Sequence, residues 1–248
     1  MKRVYFLPTA QHDEDNPWLP NARGIARINA IMAPLKEDPE GDLVIGGGYA
    51  NHVGITYADR TALYVANNHP WAIPQLRAVS GMHNRTVQDL FFGILSYLSF
   101  MEGRGTAVVP AEAELVFASE RPHYLRSENA IRALGFTPHH VESGSDLSLY
   151  SEADLQIVQE NDLGKLFGLG DTAVQWNEKA AEAAATQALF CKEWSVRNPN
   201  LDADFRAQIR LLLLGLSERG VLIQSPALPT VRPLLKIPAL TASINLAV

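Results

Sequence analysis

The chain has 248 residues, 47% hydrophobic and 19% charged, and a mean hydropathy of −0.04. These are values of a soluble globular protein and exclude long disorder, collagen-like sequence and a coiled coil. Lys and Arg number 21 against 27 Asp and Glu, a formal charge of −6, with no basic stripe to grip nucleic acid. The single cysteine, Cys191, cannot form an internal disulfide and fits a reducing compartment. The opening stretch has too few apolar residues for a signal-peptide core, and no apolar run approaches the ~20 residues of a membrane span. A cytoplasmic protein is expected, with no membrane partner.

Val4–Leu7 reads as a short strand ending at Pro8. Residues 11–23 carry Asn16-Pro17 and Leu19-Pro20-Asn21 and read as a loop. Ile25–Leu35 has helical apolar spacing. Asp42–Ile45 is a buried strand running into Gly46-Gly47-Gly48. Thr56–Val65 reads as a helix and Leu76–Ser80 as a strand broken at Gly81. Thr86–Met101 is a helix, with Thr86 and Asp89 spaced as a capping box and Gly103 just past its end. Glu114–Ser119 is a strand, with Thr106–Val109 a candidate strand before it. Ser127–Leu134 is a helix stopped by Gly135, and Thr137–Val141 a last strand.

Strands separated by helices must pair in parallel, because a parallel connection needs a crossover. The expected fold is α/β, a doubly wound, mainly parallel Rossmann-like sheet of five or six strands, with a C-terminal α-helical appendage. The pattern divides the chain into a core over 1–145, helices over 146–224, and a Pro-rich irregular tail over 225–248. In the helical part, Ser151–Asp154 forms a capping box, Asp171–Trp194 is alanine-rich and Asn198-Pro199 breaks it. Leu201, Phe205, Ile209, Leu212 and Leu216 then recur at helical spacing up to Gly220.

In such sheets ligands bind beyond the carboxyl ends of the strands, and three elements lie there. Gly46, Gly47 and Gly48, with Asn51 downstream, would let the backbone take positive φ and offer open amides to a phosphate or carboxylate. They do not spell a P-loop or a dinucleotide fingerprint. The second element is Ser80, Gly81, His83 and Asn84, with Asp89 in the following first helical turn, where the alternative role of these polar groups is to satisfy turn amides. The third is Ser119, Glu120, His123 and Arg126. Arg126 would fork onto an anion and His123 would move a proton near neutrality. The acidic run His12–Asp15 reads as solvated, so no metal is expected. Cys191 reads as packing.

The three elements, in this order, resemble the YdcF/SanA/ElyC family of bacterial proteins. Gly46–Gly48, Arg60 with Ala62, Leu63 and Tyr64, then Ser80-Gly81, Ser119, His123, Arg126 and Gly135 carry the likeness over roughly residues 42–141. Met82 stands where the family has a second glycine, Tyr124 replaces its Met and Ser127 its Ala. The resemblance implies a Rossmann-like fold and a nucleotide-like ligand, with S-adenosylmethionine as the candidate cofactor. The expected function is a small-molecule enzyme, a transferase or a hydrolase, binding an anionic or nucleoside-containing ligand, with Arg60 and Arg126 on its negative group. The alternative is a ligand-binding or scaffold protein without catalysis. A homo-oligomer is compatible with either.

Overall fold

The computed structural model describes residues 1–9, 12–13, 15–48, 50–51, 53–82, 86–144, 185–186 and 188–228, without the side chains of Thr86, Val87, Pro122 and Arg126. Five strands alternate with four helices: β1 (Lys2–Pro8), α1 (Ala22–Lys36), β2 (Asp42–Gly46), α2 (Tyr57–Asn68), β3 (Leu76–Ser80), α3 (Thr86–Gly103), β4 (Ala113–Ser119), α4 (Arg121–Ala133) and β5 (Thr137–Glu142). A helix over 188–197, here α5, is followed by α6 (Pro199–Glu218) and β6 (Leu222–Gln224).

All six strands form one parallel sheet in the order β5-β4-β1-β2-β3-β6. The central strands β1, β2, β3 and β4 are largely apolar on both faces because both faces are covered. In β1, Tyr5 and Leu7 join one apolar cluster while Val4 and Phe6 join the other; in β4, Val116 and Ala118 oppose Leu115 and Phe117 in the same way. Helices α1, α2, α5 and α6 cover the first face through Ile28, Ile31, Ala62, Trp194, Ile209 and Leu213. Helices α3 and α4 cover the second through Leu90, Ile94, Tyr97 and Ile131. Each such Ile or Leu side chain contributes ~1.5–3 kcal/mol by leaving water. The sheet is therefore doubly wound, and the winding reverses between β1 and β4, neighbours from which successive strands run in opposite directions.

Local signals explain most boundaries. Asn21 caps α1 by accepting from the Gly24 amide at 2.9 Å. Thr56 and Asp59 close a reciprocal capping box on α2. Gly135 and Gly220 stop their helices at φ +87° and +80°. Three expectations need correction. The α3 segment ends with Gly103 still helical, and the left-handed residue is Gly105 at φ +73°. Thr106–Val109 is not a strand; it leads into a single 3-10 turn at Pro110–Glu112. Helix α4 begins at Arg121, six positions before the expected Ser127, because Pro122 suits a first turn.

Leu222–Gln224, within the segment read as helical, is the sixth strand, paired with β3. Its run of three residues is too short to reveal itself by alternation. The Ser151–Asp154 capping box and most of the alanine-rich stretch lie outside the described residues. Among those described, no helix is long and apolar enough to cross a membrane.

Candidate functional site

Backbone bonding continues past the strand ends and ties the carboxyl edge together. Thr9 N donates to Gly46 O at 2.9 Å, Gly47 N to Ser80 O at 2.9 Å, Gly81 N to Gln224 O at 2.8 Å, and Ser143 N to Ser119 O at 3.2 Å. The sheet therefore brings Gly46–Gly48, Ser80-Gly81 and Ser119-Glu120 onto one edge, as the spacing predicts.

Gly46, Gly47 and Gly81 are there for close packing rather than for positive φ, which none of the three adopts. A Cβ on Gly46 would lie 2.4 Å from the Phe6 ring, one on Gly47 1.6 Å from Thr9 Oγ1, and one on Gly81 2.2 Å from Thr56 Oγ1. The amides are not open either. Gly47 N is bonded to Ser80 O, and Gly48 N points at Asp89 Oδ2 at 3.4 Å. The first amides of α2 are also taken: Tyr57 N and Ala58 N donate to Gly48 O and Gly47 O, each at 3.0 Å. The anion cradle expected of this loop is replaced by a buried carboxylate, Asp89, laid against it.

The winding reversal is closed by charge. Glu120, fully buried at the start of α4, accepts from Arg27 Nη2 at 2.6 Å and Nε at 3.2 Å, and Arg23 Nε lies 3.3 Å from its other oxygen. Burial opposes ionisation of Glu120, but the Arg27 guanidinium and then Arg23 hold its carboxyl below the usual range. Arg27 also donates to Thr9 O at 3.0 Å, so one side chain from α1 joins the ends of β1 and β4. His123, in the first turn of α4, is 7% exposed with its ring 6.0 Å from that of Phe117. Ser119 Oγ donates to Glu120 O at 3.1 Å, and Ser119 O faces His140 Nε2 at 2.8 Å.

On the other side, Ser80 Oγ donates to Gln224 Oε1 at 2.9 Å, Gln224 Nε2 donates to Ser96 Oγ at 3.0 Å, and Ser225 Oγ donates to Asp59 Oδ2 at 2.7 Å. Asp59 is wholly buried, and burial raises its pKa against these hydrogen bonds.

Two expected ligand contacts are structural instead. Arg60 is 4% exposed, donates to Thr56 O at 3.3 Å and to Pro17 O, and lies 4.2 Å over the Tyr57 ring. It packs in the interior, where burial depresses its pKa. Asn51 accepts from the Val53 and Ile55 amides at 3.1 and 3.0 Å and shapes its own loop. His83 and Asn84, and the Arg126 side chain, lie outside the described residues.

Sequence reasoning missed Arg23, Arg27 and Gln224. A signal for Arg27 exists: it interrupts the apolar face of α1 beside Ile28 and Ile31, a position where a charge is retained only with a partner. Among the described residues, no group of three or more His, Cys, Asp and Glu is placed to hold a metal ion. Comparisons with known protein families, curated proteins and solved structures found no match.

Proposed function

We propose that the carboxyl edge of the sheet, around the β1/β4 reversal, binds a small nucleoside-containing ligand and that the protein acts on it by group transfer or hydrolysis. The observation that carries this reading is the Arg27–Glu120 pair buried at the reversal, with the half-buried Arg23 on the second carboxylate oxygen. Burying charge is expensive unless it is paired and hydrogen-bonded, as Glu120 is, and in doubly wound sheets this is where ligands sit. With Asp89 against Gly48, the glycine loop favours hydroxyl or amino donors of a ligand over a phosphate. In this reading Asp89 accepts from ribose hydroxyls, His123 moves a proton, and Arg126 pairs with the ligand's negative group. Glu120 and Arg27 position the strand ends.

S-adenosylmethionine carries the hydroxyl and amino donors this reading asks for, and the likeness to the YdcF/SanA/ElyC family points the same way. The lone Cys191 suits a reducing compartment, and we place the activity in the cytoplasm.

The test is thermal melting with S-adenosylmethionine, S-adenosylhomocysteine, ATP, NAD(P) and sugar nucleotides. A ligand at a hundred times its Kd adds about 2.7 kcal/mol to stability. The expected result is a rise in Tm with an adenosyl compound that is lost in His123→Ala and Arg126→Ala. No rise with any nucleoside ligand overturns the reading. A rise without turnover of the ligand or of any co-substrate supports the non-catalytic alternative.

A further inference from the structure

A cavity opens at the amino edge of the same sheet, opposite the site above. It encloses about 960 Å³ between the end of α3, the end of α6 and the first residues of β1, β2 and β3. That volume is of the size that takes a small organic ligand. Part of its wall is apolar, with Phe100, Met101, Leu216 and Val221. Its charged lining is Lys2, Arg77, Arg104 and Arg219 against Asp42 and Glu112. A net positive cavity in a chain of formal charge −6 runs against the protein's overall balance.

Two of the cations are occupied. Lys2 Nζ and Arg77 Nε hold the buried Asp42 carboxylate at 3.0 and 2.9 Å, and Tyr97 donates to it at 2.6 Å. The other two remain. Arg104 is fixed: its guanidinium lies 5.4 Å from the Phe100 ring centroid, and Nη1 donates to Gly220 O at 2.9 Å. Gly220 leaves the space for it, since a Cβ there would fall 2.1 Å from Nη1. Among the described residues, Arg104 Nε and Nη2 make no hydrogen bond, and the Arg219 side chain has no ion-pair or hydrogen-bond partner. A guanidinium held by one nitrogen presents the rest of its fork to an anion.

We propose that this cavity binds an amphiphilic anion, a carboxylate or phosphate head on an apolar body, with the head on Arg104 and Arg219 and the body on Phe100, Met101 and Leu216. The opposing consideration is that both arginines follow helix C-termini, whose carbonyls favour cations without any ligand. The experiment separates the two.

Calorimetric titration of the full chain with decanoate, and separately with inorganic phosphate, is the test. Decanoate should bind saturably, and phosphate more weakly because it lacks the apolar body. Arg219→Glu, at an exposed side chain with no partner among the described residues, should lower the Tm only slightly, through the helix dipole, and weaken decanoate about tenfold or more, as loss of a charge-assisted contact does. Leu216→Asp should weaken it through the apolar wall; should that variant fail to fold, Arg219→Glu decides alone. No saturable decanoate binding, or affinity unchanged in Arg219→Glu, overturns the proposal. Phosphate binding as tightly as decanoate overturns the amphiphilic part. None of these outcomes depends on the carboxyl-edge reading.

Discussion

At the scale of single residues, the carboxyl edge is set by what cannot fit and by what cannot be left unpaired. Gly47→Ala places a Cβ on Thr9 Oγ1, 1.6 Å away. We expect it to cost about 1–3 kcal/mol by overpacking, with much of that recovered in Gly47→Ala/Thr9→Gly. Gly215→Ala, inside α6 with nothing within 4 Å of the new Cβ, should instead stabilise by about 0.5–1 kcal/mol. Chemical denaturation of the three variants checks both signs. For the buried pair, Arg27→Met alone should cost about 3–5 kcal/mol because it strands Glu120, and Arg27→Met/Glu120→Gln should lose much less. Equal losses in the single and double variants would show that the charge of Glu120 is not what Arg27 answers.

The same residues predict the pH response. The Glu120 pKa is lowered in the folded state, so its contribution is present above the ordinary carboxylate range and is lost as pH falls through the folded value. His12 moves stability in the same direction. Burial, and then Arg60, push its pKa down to about 4, against 6.5 when exposed. The unfolded chain therefore takes up a proton first, and stability falls as pH drops from 6.5 towards 4. His12 stacks on Phe190 at 5.0 Å, so a planar neutral side chain should preserve the packing. His12→Gln should flatten Tm against pH over that window, and an unchanged slope would contradict the assignment.

At the scale of elements, β6 matters more than its three residues suggest. Gln224 joins Ser80 on β3 to Ser96 on α3, and Ser225 reaches Asp59 on α2. Gln224→Ala should cost about 1–3 kcal/mol, since Ser80 and Ser96 lose partners in a partly buried setting. Hydrogen exchange should show the loss concentrated at β3 and β6 rather than at β1 and β4. Elements whose patterns are long were legible from sequence. The apolar runs of β1, β2 and β4 announce themselves through period and chemistry. Gly-Gly-Gly after β2 was legible as a strand end. Its purpose was not, because the pressing atoms belong to Phe6 and Thr9, about forty residues earlier in the chain. Arg60 misled for a related reason: its partners, Pro17 and Thr56, are backbone carbonyls that carry no residue-type signal. The position of Glu120 and His123 just past β4 was legible from the strand pattern, while Arg27 is placed beside Glu120 only by packing of α1 on β4.

At the scale of the molecule, one parallel sheet with two covered faces leaves two edges for function. The carboxyl edge carries the winding reversal, buried carboxylates at Asp89 and Glu120, and His123. The amino edge carries the cavity with Arg104 and Arg219. The central claim is that the nucleoside ligand occupies the first of these. Hydrogen–deuterium exchange with and without saturating S-adenosylhomocysteine tests this most directly. The account predicts added protection at 46–48, 80–81 and 119–124, and no change at 100–106 and 216–221. Protection confined to the amino edge, or no protection at all, would contradict it.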